Sequence, residues 1–271
     1  MTKNLVLTAA FGFGIQQLEF FIKSLRKHYN DDVCFVIGSK DHAIEKELKK
    51  YNCICVKTNI DKRDIQLKRY EIFSNFLKDK NYNNVLCCDS RDIYFQSNPF
   101  DIKYKSTINF FLEDKKIKEC LYNSNWIIRT YGKSAFDEVG DKIILCSGTV
   151  LGSVNKIREY LNLMKEKILK VKYKKSLKYF LTFRRDPEGR GCDQGHANYL
   201  INMGYVKNCS FYLNSEGPFA TAYYLKRIIF DSQYKLLNKF NKPYAVVHQY
   251  DKRWDEFYFS VNKIKKDLDI I

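Results

Sequence analysis

One short stretch constrains the fold of this chain more than any other. Residues 84–95 read Asn-Val-Leu-Cys-Cys-Asp-Ser-Arg-Asp-Ile-Tyr-Phe, so an apolar run of strand-forming residues stops at two acids around an arginine and then resumes. A short apolar run of this kind is typical of a strand that is buried on both faces. Because carboxylates are rarely buried without a partner, we expect the chain to reach the surface at Asp89.

The position of these acids indicates a ligand site. In open α/β sheets, ligands bind at the carboxyl ends of the strands, which is where the pattern places Asp89 and Asp92. Two carboxylates suit a divalent cation, and such a cation commonly shares its ligands with substrate phosphates. The alternative is an acid pair that caps a turn, with Arg91 neutralising one of the acids. The stretch by itself leaves both interpretations open.

The residues before this stretch predict alternating strands and helices. The expected strands are 4–10, 33–37 and 53–57, and the expected helices begin at Ile15 and cover 44–51 and 61–78. Buried strands in the order β-α-β-α-β predict an α/β fold with a doubly wound, mostly parallel central sheet that is flanked by helices.

The second half of the chain is less regular. We expect a strand at 142–146 followed by Ser147-Gly148-Thr149, a helix at 157–169, and a last strand at 245–247 that ends at His248. The simplest partition is one domain, 1–271, with a nucleotide-binding half at 1–100 and an acceptor-binding half at 101–271. Between residues 165 and 190 the sequence is strongly basic and includes Lys172, Lys174 and Lys175. This run is typical of a solvated face, or it docks an anionic acceptor or membrane.

Composition narrows the classes of partner and compartment. The net charge of +16 favours anionic partners such as phosphorylated substrates or a membrane surface, or reflects a lysine-rich soluble surface. We do not expect nucleic acid, since no recognisable motif interleaves aromatic residues with the basic run. The nine cysteines have neither disulfide-framework nor zinc spacing, which predicts a reducing, cytoplasmic location. The sequence contains no apolar run of membrane-spanning length and no convincing secretory signal.

Four short motifs, taken in order, resemble a known family. They are residues 89–92 (Asp-Ser-Arg-Asp), 146–152 (Cys-Ser-Gly-Thr-Val-Leu-Gly), 192–199 (Cys-Asp-Gln-Gly-His-Ala-Asn-Tyr) and 246–251 (Val-Val-His-Gln-Tyr-Asp). From Leu5 to about Trp254, the chain resembles the nucleotide-sugar-dependent glycosyltransferases of the GT-A fold. The resemblance is closest to metal-dependent retaining types, the glycogenin-like and lipopolysaccharide-galactosyltransferase-like enzymes. It extends to a group in which Asp-x-Arg-Asp is followed by an aromatic-Gln pair, here Phe95-Gln96.

The resemblance implies a metal-dependent hexosyltransferase. Such an enzyme moves a sugar from a UDP-sugar donor to a hydroxyl group of a glycan, lipid or protein acceptor. In this family an Asp-x-Asp motif holds manganese (Mn²⁺) against the donor pyrophosphate, with magnesium (Mg²⁺) as the other candidate. Asp89 matches the first Asp, but Arg91 stands at the third position and the second acid is Asp92, so the carboxylate that contacts the metal is left open. His248 matches the family's late histidine ligand, and imidazole with carboxylates suits manganese better than calcium.

The resemblance also assigns roles to residues outside the metal site. It implies donor binding by Thr8, Ala9, Ala10, Phe11, Arg69, Asp89, Ser90, Arg91, Cys146, Ser147, Gly148 and Lys252. Arg253 adds positive charge beside Lys252. Asp193 and Gln194 match an Asp-Gln pair near the transferred sugar and are our candidates for catalysis. Asp193 also suits an N-cap of a helix at 194–201, and residues 146–148 also suit a tight turn.

Two other functions remain open at this point. One is a nucleotidyltransferase on a related sheet, although that enzyme needs a basic glycine-rich loop after the first strand and residues 5–15 contain no basic residue. The other is a basic module that binds nucleic acid or membrane without catalysis, whose nucleic-acid binding would fall steeply with salt. The closest family types suggest retention of the anomeric configuration, whereas the residues alone leave the stereochemistry open.

Overall fold

The structure is a computed structural model that describes residues 2–62, 64–171 and 192–271. Its strands are β1 (Leu5–Ala10), β2 (Asp32–Gly38), β3 (Cys53–Thr58), β4 (Asn84–Cys88), β5 (Ile93–Phe95), β6 (Ile108–Lys116), β7 (Ile143–Ser153), β8 (Cys209–Tyr212), β9 (Phe219–Thr221) and β10 (Val246–His248). Its helices are α1 (Ile15–Arg26), α2 (His42–Lys50), α3 (Ile65–Leu77), α4 (Leu121–Tyr131), α5 (Lys133–Val139), α6 (Val154–Lys170), α7 (Cys192–Asn202) and α8 (Trp254–Asp267). The elements predicted for the first half agree with these bounds to within a few residues.

Seven strands form one central sheet in the order β3-β2-β1-β4-β7-β6-β8. Strand β7 runs antiparallel to its neighbours β4 and β6, and the other neighbouring pairs are parallel. The predicted doubly wound, mostly parallel sheet is therefore confirmed.

Helices cover both faces of this sheet. Successive side chains of a strand point to opposite faces, so β1 contributes to two cores. Leu5 and Leu7 pack in the core that contains the buried side chains of α3 and α6. Val6 packs in the opposite core with Leu18 and Phe21 of α1. This double coverage explains why the strands before residue 88 are apolar at nearly every position.

The strand predicted at residues 142–146 is present and is longer than expected. Residues Ile143–Ser153 form the single eleven-residue strand β7, so the alternative of a tight turn at residues 146–148 is wrong. Opposite β6, Leu145 pairs with Leu112 and Val150 pairs with Phe110, so β7 carries extra residues between these two pairs. A bulge of this kind bends a strand and changes the direction of its side chains. Ser147-Gly148-Thr149 has the composition of a turn, but in the structure these residues lie within the bulge of β7.

A second sheet contains three strands in the order β5-β10-β9. Its first strand, β5, follows β4 closely along the chain. Strand β10 runs antiparallel to β5 and pairs His248 with Ile93. The expected strand before His248 is thus present. Its pairing with β5 brings His248 beside the second acid of the Asp-x-Arg-Asp motif.

Three findings concern the predictions on location and on the basic run. None of the described helices combines the length and the hydropathy that crossing a membrane requires. All nine cysteines are free thiols. Most of the basic run, with Lys172, Lys174 and Lys175, lies outside the described residues.

Candidate active site

Three side chains of metal-ligand type converge at the carboxyl end of β4. Asp89 follows β4, Asp92 precedes β5, and His248 ends β10. One potential ligand atom from each residue lies within 4.8 Å of the other two. The backbone maintains this arrangement, because the Gln249 amide donates a hydrogen bond of 2.8 Å to the Asp92 carbonyl just beyond the β5–β10 pairing.

The imidazole of His248 is buried, with 1% of the residue exposed. Its Nε2 lies 3.3 Å from Asp89 Oδ2 and 3.6 Å from Asp92 Oδ1, yet it makes no hydrogen bond with any described residue. Its Nδ1 lies 3.3 Å from the Cys146 Sγ. When Nδ1 carries the proton and donates to the sulfur, the lone pair of Nε2 faces the two carboxylates. A buried nitrogen in that position is suited to bind a cation.

Gly148 allows these groups to approach one another. It lies in the bulge of β7, where a Cβ atom would be 2.7 Å from Asp89 Oδ2 and would collide with the ring of His248. Any other residue at this position would force the carboxylate and the imidazole apart. The requirement for glycine is therefore one of space.

The donor set and its charge fit a divalent cation. Two carboxylates and one imidazole are all ligand types that divalent metal ions accept in proteins. Burial raises the pKa of Asp92, and the neighbouring carboxylates of Asp89 and Asp251 raise it further. The guanidinium of Arg91 forms its ion pair with Asp251, at 2.8 Å, and not with either acid of the motif. Asp89, Asp92 and His248 are the residues that would hold a divalent cation.

Arg69 connects the cluster of Asp89, Asp92 and His248 to Asp193, the predicted catalytic residue. From α3, its guanidinium donates hydrogen bonds to Asp89 Oδ1 at 2.5 Å and to Asp193 Oδ2 at 2.6 Å. The Tyr70 hydroxyl donates to the same Asp193 oxygen at 3.0 Å. Burial alone would raise the pKa of Asp89, but the charge of Arg69 and the contact with His248 outweigh it and hold that pKa below its ordinary value. Asp89 therefore stays ionised.

The predicted pair Asp193-Gln194 lies in the first turn of α7. This helix begins at Cys192, so the expected N-cap position for Asp193 and the expected helix start at 194 are wrong. Asp193 is 2% exposed, and its carboxylate is instead fixed by Arg69 and Tyr70. The Ser147 amide and hydroxyl lie 3.4 Å from Gln194 Oε1.

A cleft of about 240 Å³ opens beside this network. The predicted residues that line it are Arg69, Asp89, Ser147, Asp193 and Gln194. Its wall also includes residues that the sequence analysis did not select, namely Glu113, Asn123, Tyr122, Trp126, Tyr223 and Tyr224. A larger cavity of about 380 Å³ lies between α1 and α8 and contains none of the predicted site residues.

The other predicted donor-binding residues do not line the cleft. Thr8, Ala9, Ala10 and Phe11 lie at the end of β1, where the Ser90 hydroxyl donates to the Ala9 carbonyl at 2.8 Å. Cys146 is fully buried, and Lys252 is exposed on the 3-10 turn Tyr250–Arg253. Arg253 forms an ion pair with Glu256. The Gln96 side chain forms hydrogen bonds with the backbone of Leu236 and Tyr244.

Glu113 is the most informative residue that the sequence analysis missed. It lies on β6, is 3% exposed, and its Oε1 is 3.4 Å from Gln194 Nε2. Burial raises the pKa of this carboxyl from 4.5 to about 7. An apolar run that ends in acids at residues 108–114 repeats the pattern of 84–89, and that pattern was the signal that could have found it.

Comparison with known proteins supports the fold. No model of a known protein family matches the sequence, and no curated protein matches it. Among solved structures, the chain is similar to mouse xyloside xylosyltransferase 1 in its apo form, with a TM-score of 0.52 and 10% sequence identity. The similarity covers 92% of this chain and 98% of that one. The GT-A-like architecture expected from the motifs is thereby confirmed, and at this identity the similarity shows the fold alone.

Proposed function

We propose that this chain is a metal-dependent glycosyltransferase that moves a sugar from a UDP-sugar to a hydroxyl acceptor. The observation that carries the proposal is the cluster of Asp89, Asp92 and His248 beside a cleft at the strand ends of a GT-A-like sheet. The order of the four sequence motifs supports the same activity. The fold shared with a xylosyltransferase is consistent with it.

The proposed division of labour follows from the contacts. A divalent cation bound by Asp89, Asp92 and His248 would neutralise charge that develops on the departing diphosphate. Arg69 keeps Asp89 ionised and holds its Oδ1 in a fixed direction, so the carboxylate is preorganised for a cation. Cys146 supports the opposite side of the imidazole of His248.

Asp193 and Gln194 are proposed to orient the transferred sugar. Their side chains line the cleft, and the Asp193 carboxylate is immobilised by Arg69 and Tyr70. A fixed carboxylate and an amide are suited to bind sugar hydroxyl groups in one orientation, which lowers the entropic cost of reaction. Retention of configuration is part of the proposal and is checked by proton NMR of the first-formed anomer.

The experiment measures release of UDP from a panel of UDP-sugars, with manganese and with EDTA. Asp92→Asn and His248→Ala are expected to lose roughly a hundred-fold or more in rate while the fold is retained. Electron paramagnetic resonance of added manganese should show weaker binding by both variants, independently of activity. Asp141→Asn and His28→Ala, which alter residues outside the cleft, are matched controls. Wild-type UDP release in EDTA, or by both site variants, would refute metal dependence.

A further inference from the structure

The cleft beside Asp89, Asp92 and His248 is lined by aromatic rings from two elements. Tyr122 and Trp126 lie one turn apart on α4, with ring centroids 6.0 Å apart. Tyr223 and Tyr224 lie on the 3-10 turn Ala222–Tyr224, with centroids 4.4 Å apart. Tyr122 is 60% exposed and Tyr223 is 44% exposed. Trp126 is half-buried, and Tyr224 is half-buried against the small core that contains Ile117 and Ile127.

One aromatic wall is fixed directly to the helix that carries the predicted catalytic pair. At Gly195 on α7, an added Cβ atom would lie 2.6 Å from the Cβ of Trp126. Helices α4 and α7 therefore touch at this point. Because Asp193 and Gln194 precede Gly195 in α7, the position of Trp126 relative to them is set by backbone packing.

The same cleft has a polar part with unused hydrogen-bonding capacity. Gln194 Nε2 lies 3.4 Å from Glu113 Oε1 and 3.5 Å from Asn123 Oδ1. Hydrogen bonds of that length are weak, so both oxygens can still accept a hydrogen bond from a hydroxyl group. The buried carboxyl and amides thus offer several hydrogen-bonding groups within one small volume.

The described part of the lining disfavours two classes of acceptor. Among the described residues that line the cleft, none has an aliphatic side chain, so a lipid chain would find no continuous hydrocarbon surface. Among the same residues, the only cationic side chain is Arg69, which is already paired with Asp89 and Asp193. A phosphorylated or otherwise anionic acceptor would therefore find no unpaired cation among these residues.

A sugar ring has the complementary chemistry, since one face presents C–H groups and its edge presents hydroxyls. Aromatic side chains combine large apolar surface with specific geometry, which suits the C–H face. We propose that this cleft binds a neutral saccharide as the acceptor, with Tyr122, Trp126 and Tyr223 stacking on its rings and with Glu113 and Asn123 accepting hydrogen bonds from its hydroxyls. This inference rests on the proposed function and names the acceptor class that the motifs left open.

The two tryptophans of the chain make a direct test of binding feasible. Trp254→Phe, on α8, leaves Trp126 as the only tryptophan of the protein. Its fluorescence is titrated with maltose, cellobiose, lactose and xylobiose, each with and without UDP and manganese. We expect a saturable change with at least one disaccharide. The reverse variant, Trp126→Phe, reports on Trp254 and should show no change.

Stacking is tested separately from binding itself. Tyr223→Ala should lower the affinity for the responding disaccharide by about five-fold or more. Tyr223→Phe, which keeps the ring, should retain the affinity. Phe259→Ala removes an aromatic side chain on α8 that is 78% exposed and outside the cleft, and it should bind like the unmodified protein. No saturable response to any disaccharide under either condition, or equal affinity of Tyr223→Ala and Phe259→Ala, would overturn the inference.

Donor chemistry is measured in parallel, so that the two proposals fail in different ways. Release of UDP without any acceptor reports on the metal and donor site alone. Its absence with every UDP-sugar, together with an intact Trp126 response, would refute the proposed function and leave a saccharide site. Normal UDP release with transfer only to a long-chain alcohol or a serine peptide would refute the saccharide acceptor and leave the glycosyltransferase.

Discussion

The buried carboxyl of Glu113 should make the stability of this protein depend on pH. Glu113 is 3% exposed on β6, and burial raises its pKa from 4.5 to about 7. The charged form is disfavoured because the carboxylate loses its hydration, and the charge of His248 and the long contact to Gln194 offset this loss only in part. Glu113→Gln keeps the size of the side chain and removes the ionisation.

The sign and size of the effect follow from proton binding. Between pH 4.5 and about 7, the unfolded chain has released this proton and the folded chain still holds it, so the free energy of unfolding falls as the pH rises. Each pH unit in that interval is worth about 1.4 kcal/mol, which gives a loss of roughly 3 kcal/mol. The glutamine variant does not suffer this loss. Relative to wild type, it should therefore gain about 3 kcal/mol between acid and mildly alkaline pH.

The assay is urea unfolding of both proteins at pH values from about 4 to 9, with far-UV circular dichroism as the signal. The difference between the two curves isolates Glu113, because the remaining titratable groups are shared. Glu138→Gln on α5 is a matched control, since its side chain is exposed. A difference between wild type and Glu113→Gln that is constant over this range would refute the reasoning.

Two further predictions concern the groups around Asp89, Asp92 and His248. Gly148→Ala should weaken manganese binding by about ten-fold or more, measured by electron paramagnetic resonance, because its Cβ would approach Asp89 Oδ2 to 2.7 Å; wild-type affinity would contradict the spatial role of the glycine. Arg69→Met should destabilise the fold by about 3–5 kcal/mol, since it removes the cationic partner of the buried Asp193 and leaves the Tyr70 hydroxyl as its remaining donor, and Asp193→Asn should relieve part of this loss. Additivity of the two substitutions in urea unfolding, within about 0.5 kcal/mol, would show that the pair is not coupled.

The sequence predicted the parts of this fold that depend on local pattern. Strands β1, β2 and β4 are mostly apolar, since helices cover them on both sides, and Asp89 follows directly from the end of such a run. Glu113 obeys the same rule and could have been found by it. The bulge of β7 could not, because turn-forming residues inside a strand become recognisable only when both neighbouring strands are known.

The convergence of the site also lies beyond local pattern. His248 reaches Asp92 only through the register of β10 against β5, two strands that are far apart in the sequence. The family resemblance supplied His248 as a candidate, while its geometry required the structure. The ion pairs of Arg69 with Asp89 and Asp193 likewise join three segments whose spacing gives no periodic signal.

Arg91 and Cys146 contact the same segment. Arg91 pairs with Asp251, three residues after His248. Cys146 places its sulfur against the Nδ1 of His248. One residue therefore holds the turn that follows β10, and the other holds the imidazole itself. Because the sulfur contacts Nδ1, it fixes the direction of Nε2, the nitrogen that faces the two carboxylates.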